Sequence, residues 1–123
     1  GQKHVGSLRF ARYYSLRIFA RYAGVRFSFM PIKISDHLNK DDNGKSTVIA
    51  WLLPDNWRLP DQMKAFESWL QENRSLAPSE YSADIGFSPR EDALGGGGKV
   101  SIESMEIMLR LGLELYLSEY PED

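Results

Sequence analysis

The chain contains no cysteine among its 123 residues. Disulfide bonds, thiolate zinc sites, iron–sulfur clusters and cysteine nucleophiles are therefore excluded together. Long apolar runs are also missing, because no stretch approaches the roughly 18 residues needed to cross a bilayer. Near the N-terminus, arginines interrupt the apolar positions where a signal peptide has a continuous hydrophobic core. We therefore expect a soluble, cytoplasmic protein that has no membrane partner.

Histidine is scarce, since the chain has only His4 and His37. His37 lies beside Asp36 in a short polar segment that we expect at the surface. A nucleophilic triad built on it would need a serine, and no G-x-S-x-G elbow is present to hold one. The scarcity of candidate groups predicts a protein that is not an enzyme.

The segment NKDDNG at 39–44 matches the first half of a calcium-binding loop, in which alternate oxygen ligands surround a glycine turn. The twelfth position of such a loop is a bidentate glutamate, but here it is Ala50. Asp-Asn-Gly also supplies the positive φ of a β-turn. We therefore predict a hairpin loop here, and no metal or cofactor.

Four consecutive glycines, Gly95–Gly98, stand before Lys99. A phosphate-binding P-loop needs a glycine five positions before the last one and a Ser or Thr after the lysine. Ala93 and Val100 occupy those two positions. The pattern therefore predicts a hinge, although anion capture by a glycine-rich helix entry stays open as an alternative.

Charge is divided unevenly along the chain. Residues 1–33 carry seven bases and no acid, whereas the remaining ninety residues carry all 17 acids. Such a division fits a basic strand beside acidic neighbours, and it also fits a nucleic-acid arm or a targeting segment. For a single small domain we favour the first interpretation.

Apolar periodicity predicts the secondary structure. Strands are expected at 14–22, 25–29, 47–53, 81–88 and 113–117. Helices are expected at 61–73 and between a Ser101 N-cap and a Gly112 stop, and Ser35 can cap a short helical turn through Leu38.

Each of the two longer helices has an apolar stripe suited to covering a sheet. The stripes consist of Met63, Phe66, Trp69 and Leu70 in the first helix and of Ile102, Met105, Met108 and Leu109 in the second. We predict an α+β two-layer sandwich, with a mainly antiparallel or mixed sheet of about five strands and both helices on one face. We expect residues 1–123 to form one domain, within which residues 1–12 are part of the fold, a disordered terminus or a start-site remnant.

The candidate partner-binding residues are acids and aromatics. Four acids, Asp84, Glu91, Asp92 and Glu103, are expected at one edge of the sheet, as an acidic rim that a basic partner can meet. Trp57 and Tyr116 are candidate aromatic anchors, because binding energy concentrates in such side chains. The competing interpretation is that these acids are merely solvated and these aromatics merely packed.

The last forty residues read YSADIGFSPREDALGGGGKVSIESMEIMLRLGLELYLSEY. A strand, a glycine-bearing loop, a serine-capped helix ending in Leu-Gly and a closing strand follow one another. This third of the chain resembles the end of small bacterial domains of unknown function found among immunity proteins of polymorphic toxin systems. The resemblance implies no catalytic residues. It implies a protein that neutralises a cognate toxin by masking its active or substrate-binding surface.

Two other functions stay open. The basic N-terminal strands suit a nucleic-acid-binding domain, with arginines on phosphates and Phe19 or Tyr22 stacking on bases. A small enzyme with carboxylate acid/base residues is the third choice, because no group beside the acids is expected to tune a pKa. Dimerisation through an exposed edge strand also stays open.

Overall fold

The computed structural model describes residues 30–91 and 93–121. Their elements are β1 (Ile32–Lys40), β2 (Ser46–Leu52), α1 (Leu59–Glu72), β3 (Tyr81–Phe87), α2 (Ile102–Leu111) and β4 (Leu113–Glu119). The four strands form one open sheet in the order β2-β1-β3-β4. β1 is antiparallel to both of its neighbours, whereas β3 and β4 are parallel and joined through α2. The α+β class and the mixed sheet are therefore confirmed.

The described sheet has four strands, and the prediction of about five is not confirmed. Three of the predicted strands correspond to β2, β3 and β4. The predicted strands at 14–22 and 25–29 lie outside the described residues, as do residues 1–12. No helix in the described ranges is long and apolar enough to span a membrane.

One cluster of buried side chains joins the sheet to both helices. Its members are Ile32, Ile34, Ala50, Met63, Phe66, Leu70, Tyr81, Ala83, Ile85, Ile107, Leu111 and Leu113. In β3, Ala83 and Ile85 belong to this cluster, and because side chains alternate along a strand, Asp84 between them lies on the other face. The sheet thus has a core face and a second face.

The helical turn predicted from Ser35 to Leu38 is wrong, because these residues belong to strand β1. Ile32 and Ile34 are buried in the core, and β1 pairs with a strand on each side. A carboxylate oxygen of Asp36 accepts hydrogen bonds from the backbone N–H groups of Leu38 and Asn39. This local bonding is also typical of a helix start. The two-sided strand pairing decides the conformation.

The hairpin loop predicted at 39–44 is confirmed. Asp41 accepts a backbone hydrogen bond from Gly44, and its carboxylate accepts two more, from the N–H groups of Asn43 and Lys45. Gly44 has φ of 77°, in the left-handed region where glycine has no steric cost. The loop turns β1 back into β2.

Helix α1 begins with Pro60 in its first turn, as predicted, and buries Met63, Phe66 and Leu70. Gln62 is also fully buried, and its amide nitrogen donates hydrogen bonds to the carbonyl oxygens of Asn56 and Gly86, both at 2.7 Å. The first turn of α1 is thereby fixed to the end of β3.

Both predicted caps of helix α2 are confirmed. The Ser101 hydroxyl accepts from the N–H of Ser104 at 3.0 Å, and Gly112 ends the helix with φ of 78°. Glu67 on α1 also accepts from the Ser101 N–H and from the Ser104 hydroxyl, each at 2.7 Å. These hydrogen bonds, the backbone one foremost, hold the pKa of Glu67 below its ordinary value. Glu67 thus ties the two helices together.

The predicted core stripe of α2 is wrong for three of its four residues, and only Met108 packs against the core. The helix buries Ser104, Ile107 and Leu111, whereas Ile102, Met105 and Leu109 are exposed. Leu109 therefore does not belong to the core, contrary to the expected stripe. The physical reason is the Glu67–Ser104 hydrogen bond, which turns the small polar side of α2 towards α1.

Candidate partner-binding site

Four side chains form one row across the second face of the sheet. Strand register aligns Trp51 with Lys33, Lys33 with Asp84, and Asp84 with Tyr116. Register partners on neighbouring strands present their side chains on the same face. We call Trp51, Lys33, Asp84 and Tyr116 the cross-sheet row. Within the described ranges no helix lies on this face.

The cross-sheet row combines aromatic and charged groups. The Lys33 ammonium nitrogen lies 5.9 Å from the centre of the Trp51 ring, within cation–π range. Asp84 accepts a hydrogen bond of 2.7 Å from the Ser118 hydroxyl, which orients its carboxylate. Tyr116, on the edge strand β4, has an exposed side chain, with an exposed fraction of 53%. An anion and an accessible aromatic ring therefore stand side by side.

Trp57 and Tyr120 stand together beside the row, next to Gly86 of β3. Their rings pack edge to face, with centroids 5.6 Å apart and planes at 80°. Both rings lie against Gly86, where an added Cβ would come 2.8 Å from a Tyr120 ring carbon. Gly86 follows Asp84 by two residues, so it shares the second face with it. The predicted anchor Trp57 is thus near Asp84 and Tyr116.

Trp57 also borders a groove in the β2–α1 connection. The groove has a volume of about 620 Å³ and is lined by Leu53, Pro54, Asp55, Asn56, Trp57 and Arg58. Leu53 has φ of 47°, an unfavourable conformation for a residue with a branched side chain. The connection therefore presents a concave surface beside the aromatic pair.

His37 lies on the second face, between the two neighbouring strands of β1. Its Nδ1 atom is 2.6 Å from the Ser46 hydroxyl and its Nε2 atom 2.7 Å from the Ser82 hydroxyl. A neutral imidazole donates through one nitrogen and accepts through the other, so both contacts are satisfied at once. Serine occupies the place where a catalytic triad has a carboxylate. The arrangement fixes β1 to β2 and β3.

The structure does not bring all four predicted acids together. Glu103 is on α2, where it accepts a hydrogen bond from Gln71 of α1, so it lies on the helix side of the sheet, opposite Asp84. Glu91 is exposed in the connection between β3 and α2. Asp92 lies outside the described residues. The acidic rim expected at one edge therefore does not include both Asp84 and Glu103.

Sequence reasoning missed the contributions of Lys33, Trp51 and Tyr120. Their roles depend on strand register and on the Trp57–Tyr120 contact, which spans more than sixty residues of sequence. For Tyr116 the sequence did contain a signal, because alternation along β4 places its side chain on the opposite face from Leu115 and Leu117.

In comparisons with known proteins, no family model, no curated protein and no solved structure matches the chain. The resemblance to immunity proteins therefore stays a prediction.

Proposed function

We propose that this chain is a non-catalytic protein-binding domain whose contact surface is the second sheet face around Asp84 and Tyr116. The observation that carries the proposal is the cross-sheet row, in which an oriented carboxylate adjoins an accessible tyrosine. Interface energy concentrates in a few residues of this kind, with Tyr and Trp foremost. The neighbouring Trp57–Tyr120 pair extends the aromatic surface.

The proposed partner is a protein that presents basic groups. Asp84 and Glu114 both lie on the second face, one on β3 and the other on β4. Lys33 on β1 adds one positive charge at the other side of Asp84. A complementary partner therefore meets an acidic β3–β4 side and, at Lys33, a basic β1 side, which would fix its orientation.

The finer proposal is that the partner is a cognate bacterial toxin and that this chain is its immunity protein. It is supported by the C-terminal forty residues that carry the resemblance. It is also supported by the surface chemistry, because masking an active or substrate-binding surface requires charge and shape but no reacting group.

Co-expression tests this proposal. The product of the adjacent gene is expressed alone and together with this chain, and growth is compared. We expect growth arrest that this chain relieves, and a complex that survives purification. Catalytic turnover by this chain alone, or steeply salt-dependent binding to single-stranded nucleic acid without protein binding, would contradict the proposal.

Charge reversal then shows which of the acidic residues contribute to binding. Asp84→Lys is compared with Glu91→Lys, alone and with Asp92→Lys, and with Glu72→Lys on the exposed end of α1 as a control. We expect at least a tenfold loss of affinity, or about 1.4 kcal/mol, for Asp84→Lys and none for Glu72→Lys. Unchanged affinity after reversal at Glu91 and Asp92 would remove that loop from the contact surface.

A further inference from the structure

Helix α2 presents a stripe of large apolar side chains away from the core. The exposed fractions of Ile102, Met105 and Leu109 are 74%, 49% and 84%. At about 100° per residue, positions i, i+3 and i+7 fall on one side of a helix. We call these three residues the α2 stripe. A contiguous set of exposed apolar side chains marks an interaction surface, unlike single scattered ones.

Three charged residues flank the α2 stripe along one side only. Glu103, Glu106 and Arg110 lie about 40–100° from Ile102 around the helix axis. The two acids are in the first half of the helix and the base is in its last turn. Met108, which packs against the core, borders the stripe on the other side. The flank is therefore acidic at one end and basic at the other.

We propose that the α2 stripe binds the α2 stripe of a second copy of this chain, with the two helices antiparallel about a two-fold axis. Such an axis reverses the helix direction and keeps both charged flanks on the same side of the contact. Arg110 of each copy then faces Glu103 of the other, and the two Glu106 side chains lie beside the two-fold axis. Ile102 of each copy packs on Leu109 of the other, and the Met105 side chains meet near the axis.

A parallel pair does not give this complementarity. Its two-fold axis runs along the helices and places the charged flanks on opposite sides of the contact. Each flank then faces the Met108 side of the other copy, so the charges of the two copies are not matched. Charge therefore selects the antiparallel orientation, and it makes the second copy a better occupant than a uniformly charged partner.

The charged side chains that flank the α2 stripe are able to form ion pairs with the second copy. One guanidinium nitrogen of Arg110 donates to the Arg74 carbonyl at 2.9 Å, which leaves other N–H donors of its five for the second copy. Glu103 accepts one hydrogen bond, from Gln71, and a carboxylate can accept several. Glu106 is exposed, and in the described part of the chain it makes no ion pair.

The contact is small, and this sets the expected strength. Three apolar side chains per copy bury less than the roughly 1,600 Å² of a standard interface. We therefore expect a dimer that dissociates in the micromolar range or above, and that forms without any other protein. Its failure to form would leave the proposed toxin binding through the second sheet face untouched.

Sedimentation velocity of the full chain, from micromolar to millimolar concentration, tests the surface. The wild type should pass from monomer to dimer, and Leu109→Glu should raise the dissociation constant at least tenfold. Leu38→Glu is the matched control, because Leu38 is an exposed leucine on β1, with an exposed fraction of 63%. A wild type that stays monomeric at millimolar concentration, or a Leu109→Glu variant that dimerises unchanged, would overturn the proposal.

A charge swap tests the orientation. Arg110→Glu should weaken the dimer, because each copy then places acid against acid. Combining it with Glu103→Arg should restore most of the lost affinity, because the exchanged charges again face each other. If the double variant is as weak as the single one, the antiparallel arrangement is wrong.

The absence of native cysteine permits a cross-linking test as well. Met105→Cys lies near the proposed axis and should form an intermolecular disulfide under mild oxidation. In an antiparallel pair the two copies of residue 102 are separated by about 10 Å along the direction of the helices, so Ile102→Cys should not cross-link. Equal cross-linking at both positions would indicate a parallel pair and contradict the proposal.

Discussion

Asp84 and Tyr116 are register partners on the parallel strands β3 and β4, and they share the sheet face that no described helix covers. The Ser118 hydroxyl, also on β4, donates to the Asp84 carboxylate at 2.7 Å. The closing strand therefore both orients the anion and supplies the aromatic ring beside it. For this reason the proposed contact surface depends on the geometry of the short connection between α2 and β4.

Gly112, which joins α2 to β4, should tolerate alanine poorly. Its φ is 78°, and an added Cβ would collide with the Ser79 carbonyl oxygen. Gly44 is a matched control, because its φ is 77° and it has nothing within 4 Å of an added Cβ. We expect Gly44→Ala to lower the free energy of unfolding by about 1 kcal/mol and Gly112→Ala to lower it by clearly more. Urea denaturation measures both, and equal losses would show that the Ser79 contact is unimportant.

Stability should depend on pH through Glu67. Its pKa is lowered in the folded chain, chiefly by the hydrogen bond from the Ser101 N–H, so the unfolded chain binds its proton more readily. The contribution is therefore complete above the ordinary glutamate pKa of about 4.3 and is lost as pH falls through the lower folded value. Glu67→Gln should destabilise the protein at neutral pH and have less effect near pH 3.

Denaturation of the wild type and Glu67→Gln at several pH values checks this expectation. The difference in free energy of unfolding should shrink as the pH falls. A difference that stays constant with pH would mean that the Glu67 charge does not stabilise the start of α2.

Truncation of two leucines of α2 should change the free energy of unfolding by very different amounts. Leu111 is fully buried, so Leu111→Ala should cost about 2–5 kcal/mol of unfolding free energy. Leu109 is exposed, so Leu109→Ala should change the stability of the monomer by no more than about 0.5 kcal/mol. Thermal denaturation at low protein concentration compares the two variants. A large loss of stability in Leu109→Ala would support the buried helix face that the sequence predicted.

The same helix shows where sequence reasoning succeeds and where it fails. The caps of α2 depend on local chemistry, and Ser101 and Gly112 were both predicted. Its buried face was not, because apolar residues surround most of the helix and periodicity alone does not choose among them. The choice depends on Ser104 meeting Glu67, which is 37 residues away.

The candidate site shows a similar limit. Alternation along β3 and β4 identified Asp84 and Tyr116 as polar or accessible positions, but their alignment with Lys33 and Trp51 follows from strand order and register. The His37 contacts reach Ser46 and Ser82, 9 and 45 residues away. No local pattern encodes partners at such distances, so the sequence indicated a turn where the structure has a strand.

The most direct test of the proposed contact surface is the affinity of the Tyr116→Ala variant for the product of the adjacent gene, measured by isothermal titration calorimetry. Asp84→Asn is measured alongside it, with Glu72→Gln on α1 as the control and thermal denaturation to establish that each variant is folded. We predict at least a tenfold weaker complex for Tyr116→Ala and for Asp84→Asn, and wild-type affinity for Glu72→Gln. Wild-type affinity in both folded second-face variants would contradict the account.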